Sequence, residues 1–325
     1  MRIAFFVCPE QPVPPIDYGG AEKITSVIVP KLLNNGIIVD LYAGPGSTCQ
    51  ATNLYKASQA SMANEHELFK LMQKKNEEHP YHCIIDYSAN HLAGRHFKNV
   101  VSIMGGDPYK KYPHDDVKNR VYVSQEFAIF NDCPNHPYFP CLAIESNPNQ
   151  ILLGTGAGNY ILYVGIIHPM KGVELAITAC SKLNKILHVA GPIRDKDYWN
   201  KIKHQVKYLG IMSQNDQDNM LGNARVFVHP VQVCDANPLT PREAMLRGTP
   251  VVANPSGGIC SAIVPGISGY FTQPHNPEDF ANAIKAASGL DRYLVRQLAI
   301  VKNNPDIVAM TLASLCSNVM NGKSW

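Results

Sequence analysis

From Val226 to Ala253 the chain reads strand, loop, helix, tight bend, strand. Val226–His229 is an apolar run of strand length, residues 240–247 have helical spacing, and Gly248-Thr249-Pro250 stops the helix and feeds a second apolar run at 250–253. Two short apolar strands joined by a helix become parallel neighbours in one sheet, because a crossover returns the second strand in the direction of the first. Such a sheet is covered on both faces, and open α/β sheets bind ligands at their carboxyl edge. Asp235 and Glu243 fall at that edge, with Asn237-Pro238-Leu239-Thr240 between them.

The same rhythm runs through the rest of the chain. Arg2–Val7 is a strand, and a turn rich in proline (Pro9, Pro12, Pro14, Pro15) leads to Gly19-Gly20-Ala21-Glu22, which opens a helix that Gly36 stops. Further strands are expected at 37–42, 81–86, 99–103 and 120–123, and residues 50–78 read as polar and helical. Residues 125–158 lose the rhythm and carry Pro134, Pro137, Pro140 and Pro148, then Gly154, Gly156 and Gly158. A second cycle follows. Its strands are 160–164, 186–190, 206–209, Val226–His229 and 250–253. Its helices are 172–183, 197–203, 214–222, 240–247, Pro277–Ala287 and Pro305–Met320. The expectation is an α/β protein of two Rossmann-like, doubly wound parallel-sheet domains, 1–155 and 156–304. The segment 305–325, a helix with no strand after it, is expected to return to the first domain.

Composition sets the bounds. A length of 325 residues accommodates two domains of ordinary size, and 45% hydrophobic with 17% charged residues suits filled cores. A net charge of +3 is too mild to argue for nucleic acid. The longest apolar runs are strand-sized, so no transmembrane segment is expected. The first residues enter a strand directly, without a signal-peptide layout. Nine cysteines are scattered without a Cys-x-x-Cys pair, which reads as reduced thiols and a cytoplasmic setting. Nothing in the composition bears on oligomeric state.

Several residues carry chemistry. Tyr163-Val164-Gly165-Ile166-Ile167-His168-Pro169-Met170-Lys171-Gly172 is strand, tight turn, then a lysine where a helix begins; charge and free N–H groups there suit a phosphate. A lone lysine on such a loop is as often only solvated. Gly191 and Gly210 end two further strands, where backbone can approach a ligand, and the edge at Ile211-Met212 could hold a flat base. His188 reads as a packed strand histidine. Asp235 and Glu243 together could grip hydroxyl pairs on two sugars, while the N–H groups of Leu239 and Thr240 face a phosphate; Pro238 and Pro241 have none. Asp195-Lys196-Asp197 and Asp216-Gln217-Asp218 match the Asp-x-Asp pattern of metal-dependent transferases. Both lie at helix starts, where aspartate caps, and no metal is expected. Gly154-x-Gly156-x-Gly158 precedes a strand where a dinucleotide fingerprint follows one.

These residues together resemble a retaining glycosyltransferase of the GT-B fold, family GT4. The resemblance rests on Gly19-Gly20-Ala21-Glu22, Gly165 with Lys171-Gly172, Asp235 followed by Glu243-Ala244-Met245, Gly248-Thr249-Pro250-Val251-Val252, Gly257-Gly258 and Ser268-Gly269-Tyr270. It is nearly continuous over 160–287, good over the first 45 residues and poor over 50–150. It implies a nucleotide-diphosphate sugar donor, UDP- or GDP-linked, a hexose transferred to a hydroxyl of a glycan or small acceptor, and no required cofactor. Lys171 would neutralise the donor diphosphate, Glu243 would hold ribose hydroxyls and Asp235 a hydroxyl of the transferred sugar. Leu239 and Thr240, within Asn237-Pro238-Leu239-Thr240, would offer N–H groups, Ile211 and Met212 would meet the base, and Gly165, Gly19 and Gly20 would admit the diphosphate. Three positions depart from the family pattern: Ile166 replaces an arginine, Asp235 replaces the commoner glutamate, and Asp107 stands near where a histidine is usual, a sugar contact or an ordinary turn aspartate. Two other readings stand beside this one. One is a degenerate protein that binds nucleotide-sugar without turnover; the other is an epimerase or hydrolase using Glu22, Asp107 or His114.

Overall fold

The computed structural model describes residues 1–16, 19–106 and 115–325, so Asp107 and His114 lie outside the described residues. The chain divides into two units, Met1–Ser146 with Asn303–Trp325, and Asn147–Lys302.

The first unit runs β1 (Arg2–Val7), α1 (Gly20–Asn34), β2 (Ile38–Ala43), β3 (Asn53–Lys56), α2 (Glu65–Glu78), β4 (Cys83–Tyr87), α3 (Leu92–His96), β5 (Val100–Met104), β6 (Arg120–Tyr122) and α4 (Gln125–Phe130). Its strands pair in parallel in the order β3-β2-β1-β4-β5-β6. Residues 50–78, read from sequence as one polar helix, are instead a strand followed by a helix. The strand forms because it has a template in β2: Tyr55 stacks on Tyr42 with ring centroids 4.8 Å apart. On one side of the sheet Phe6, Tyr42 and Ile84 pack with Leu68 and Met72 of α2.

The second unit runs β7 (Ile161–Val164), α5 (Val173–Lys182), β8 (Leu187–Ala190), α6 (Lys196–Ile202), β9 (Val206–Tyr208), α7 (Gln214–Asn223), β10 (Val226–His229), α8 (Thr240–Leu246), β11 (Val251–Ala253), β12 (Gly269–Phe271), α9 (Pro277–Ala287) and α10 (Arg292–Lys302). The sheet order is β12-β11-β10-β7-β8-β9, again all parallel. Leading into this unit, the Gly154–Gly158 segment lies on the end of α7: Gly156 and Gly158 donate to the carbonyls of Gly222 and Asn223, and a side chain at Gly154 would collide with the Gly222 carbonyl. Those glycines serve close packing.

The last helix, α11 (Pro305–Met320), belongs to the first unit, where it packs on α1, β4 and β5. Lys31 of α1 pairs with Asp306 at 3.0 Å, and the Trp325 indole donates to the Arg120 carbonyl at 2.7 Å. Both sheets wind outward from an inner strand pair, β1 and β4 in one and β7 and β10 in the other. In such sheets the crevice for a ligand opens at the carboxyl ends of that pair.

Candidate functional site

In the second unit the inner pair is held in register by Val226 opposite Ile161 and Phe227 opposite Leu162. The chain leaving β7 turns through a short 3-10 segment, Pro169–Lys171, whose end is Gly172 with φ 65°. A Cβ at Gly172 would stand 2.2 Å from the carbonyl oxygen of Pro230, the residue after β10. Only glycine permits both the left-handed backbone and that approach, and the approach brings the two loops together. As a result Lys171 Nζ donates to Asp235 Oδ2 at 2.8 Å, with both side chains largely shielded. Two of the three residues expected to act on a donor therefore meet each other.

Beside them lies a floor without side chains. Gly165 donates to the carbonyl of Ala190 and Gly191 to that of Gly210, so glycines stand together at the ends of β7, β8 and β9. A Cβ at Gly191, where φ is 128°, would sit 2.1 Å from the Gly165 oxygen. The next residue on the rim, Ile211, is 72% exposed, and Met212 is half-buried. An apolar, accessible rim over a backbone floor is suited to a flat ring.

The loop that carries Asp235 is shaped from behind. Gly258 donates to the Asp235 carbonyl at 2.8 Å, and a Cβ at Gly257 would stand 2.0 Å from the same oxygen. Arg242 of α8 is 1% exposed; its Nε donates to Asn237 Oδ1 at 3.0 Å, and another nitrogen donates to the Gly258 carbonyl and to Ser261 Oγ. The side-chain oxygen of Asn237 thus serves the scaffold. Pro238 is buried, Leu239 precedes α8 without a side-chain cap, and Thr240 begins the helix. Glu243, in the first turn, is 3% exposed and accepts from Gln217 Nε2 of α7 at 3.0 Å.

His229, the last residue of β10, is a site feature that pattern reading passed over. It is buried, and its Nε2 has no hydrogen-bond partner. Burial pushes its pKa down from 6.5 to about 4; the Asp235 carboxylate works against that shift and the Lys171 ammonium adds to it. A neutral imidazole therefore lies within electrostatic reach of the ion pair. Arg242 and Gln217 were also missed as site residues. Buried arginine has no sequence signal, and Gln217 drew notice only inside Asp216-Gln217-Asp218. In that motif Ser213 accepts from the Asp216 N–H at 3.2 Å and donates to its carboxylate at 2.6 Å, so its hydroxyl caps α7. Asp195 likewise caps α6 by accepting from the Tyr198 N–H. His188 packs its ring against Tyr160. No group of three His, Cys, Asp or Glu side chains among the described residues has metal-holding geometry.

Gly19 and Gly20 belong to the first unit, at the start of α1. A Cβ at Gly19 would stand 2.8 Å from Glu22 Oε2. Glu22 is itself buried, and desolvation, with a smaller push from Glu10, raises its pKa to about 7.

Residues 150–295 match the family described as glycosyl transferases group 1, and this stretch is a glycosyltransferase group 1 domain. Among curated relatives, an uncharacterized glycosyltransferase of Methanocaldococcus jannaschii is 31% identical over 144 residues, 41% of this chain and 35% of that protein. The lipopolysaccharide 1,2-N-acetylglucosaminetransferase of Salmonella typhimurium is 28% identical over 175 residues, 48% of this chain and 46% of that protein. The aligned stretch thus spans less than half of either relative. Solved structures extend the likeness along the whole chain. AviGT4, a glycosyltransferase involved in avilamycin A biosynthesis, has a TM-score of 0.75 at 18% identity, covering 100% of this chain and 99% of its own. Anabaena Alr3699/HepE in complex with UDP has a TM-score of 0.73 at 16% identity, covering 98% and 100%. The fold is that of the GT-B glycosyltransferases. No helix among the described residues is long and apolar enough to cross a membrane.

Proposed function

We propose that the chain is a retaining, metal-independent glycosyltransferase that moves a hexose from a UDP- or GDP-linked donor to a hydroxyl of a glycan or small acceptor. One observation carries the reading: Lys171 and Asp235 meet where β7 and β10 diverge, beside the glycine floor of β7–β9. A diphosphate at that edge would draw the Lys171 ammonium, and Asp235, so released, would accept from a sugar hydroxyl. Glu243 would take the ribose hydroxyls, Ile211 and Met212 the base. As the bond from the anomeric carbon to the phosphate oxygen breaks, its electron pair stays on the nucleoside diphosphate. The cation stabilises that charge in a site shielded from water, and the acceptor hydroxyl passes its proton to the departing phosphate oxygen as its own oxygen joins the anomeric carbon. The relatives named above, among them a structure holding UDP, support the reading.

A second reading, nucleotide-sugar binding without turnover, draws on the charge at the site. Ile166 supplies no cation, and Lys171 is already paired. Incubation with UDP- and GDP-hexoses and a panel of glycan acceptors separates the two. Release of nucleoside diphosphate that Lys171→Ala and Glu243→Ala abolish supports transfer. Donor binding without release supports the binder, and release unchanged by either substitution overturns the assigned site.

A further inference from the structure

The first sheet has an opening of its own. Its inner strands β1 and β4 run parallel with Val7 opposite Tyr87, the last residue of each, so the crevice at their carboxyl ends begins at Tyr87 and at Cys8, the residue after β1. Helix α1 starts from the same edge and carries Glu22 in its first turn. Glu22 is 6% exposed, and among the described residues its carboxylate forms no ion pair and accepts only from its own backbone N–H. Gly19, which has no side chain, leaves it room. Tyr87 is half-buried and lies against Gly105, the residue after β5: a Cβ there would stand 3.4 Å from the phenol oxygen. The charges that act on this edge are negative, Glu10 on Glu22, Glu22 on Tyr87, and Glu10, Glu65 and Glu22 together on Cys8.

A buried carboxylate is costly unless a cation or several N–H donors answer it, and around Glu22 the described residues supply neither. A sugar hydroxyl would add one hydrogen bond and leave the charge in place. A primary ammonium brings the opposite charge and three N–H donors, enough for both the Glu22 carboxylate and the Tyr87 hydroxyl. We propose that the crevice of the first unit holds its acceptor by a primary amine, with Glu22 as the counter-ion and the Tyr87 hydroxyl as the second partner. The acceptor is then an amino sugar or another polyol that bears an amine. Calling this ligand an acceptor rests on the transferase reading; the binding itself does not.

The test is calorimetric titration of the full chain, without donor, with the methyl glycosides of glucosamine and galactosamine and with their N-acetylated counterparts. The wild type is expected to bind at least one amine about tenfold or more tighter than its acetylated form. Glu22→Gln, with its thermal transition retained, should lose that preference. Tyr87→Phe should weaken amine binding by a smaller factor and keep the preference, because the charge that sets it remains. A purely structural role for Glu22 would move both kinds of ligand together. Acetylated sugars that bind as well as the amines, no binding of either amine, or a preference that survives Glu22→Gln overturns the subsite. Nucleoside diphosphate release that neutral acceptors stimulate more than these amines overturns it as well and leaves the transferase reading intact. Amine binding that Glu22→Gln abolishes, in a chain that turns over no donor, upholds the subsite and overturns the transferase reading.

Discussion

At the scale of the residue, the site is organised by charges that satisfy one another. The Lys171–Asp235 pair is shielded, so removing the carboxylate changes the cation's availability more than it changes a surface pair. Asp235→Asn should tighten UDP or GDP binding by about tenfold while turnover falls, because in the proposed donor site the freed ammonium would meet phosphate and the sugar would lose a charged acceptor. Titration calorimetry and the rate of nucleotide release measure the two effects; binding that weakens would show that the pair itself preorganises the site. His229 makes a different prediction. Its folded pKa of about 4 lies below the 6.5 of an ordinary histidine, so the unfolded chain binds a proton first as pH falls. Stability should decline from pH 6.5 toward 4, by on the order of 3 kcal/mol if the whole shift is realised. His229→Gln should flatten that part of the curve of Tm against pH. Glu22, with its pKa raised to about 7, has the opposite sign: its penalty grows as pH rises through 7. Glu22→Gln should raise Tm more at pH 8 than at pH 5. As candidates, Lys171, Asp235 and Glu243 were legible in the sequence because their spacing survives in one dimension. Gln217, Arg242 and His229 were not, because what matters about each is a partner, or the lack of one, in three dimensions.

At the scale of the element, the strands with strong apolar runs and the helices with clear caps lie where the pattern places them. Pro305–Met320 is an example, entered through Asn304, whose side chain accepts from the Asp306 and Ile307 N–H groups. The short edge strands were harder. Asn53–Lys56 and Gly269–Phe271 carry little apolar signal and owe their conformation to a neighbour, β2 in one case and β11 in the other. The junction between elements is where the site is most exposed to damage. At Gly191 an added Cβ meets the Gly165 carbonyl and the backbone is left-handed. Gly191→Ala should lower stability by about 2 kcal/mol or more, or about 4–8 °C in Tm, and should weaken nucleotide binding because the floor must shift. An alanine variant of unchanged Tm would mean that β7 and β8 separate easily at this edge.

At the scale of the whole molecule, the two sheets share one winding order, and that repetition was readable in the strand–helix rhythm alone. The order states where each sheet opens, and the acid pair sits at the opening in the second. What the rhythm did not reveal is how much of the first unit depends on its last segment. Leu312 of α11 is fully buried. Leu312→Ala should cost about 2–5 kcal/mol, and hydrogen exchange should rise in β1–β6 while β7–β12 keep their protection. Equal loss in both sheets would show that the units unfold as one.

The place of α11 also bears on the order in which the protein is made. Residues 147–302 emerge from the ribosome as a complete unit, whereas the unit begun by Met1 lacks a packing helix until residue 320 is out. The usual expectation that the amino-terminal part folds first during synthesis does not follow from this arrangement. Until residues 305–320 are made, α1, β4 and β5 lack the helix that packs on them, and the unit made second is the one that can finish first.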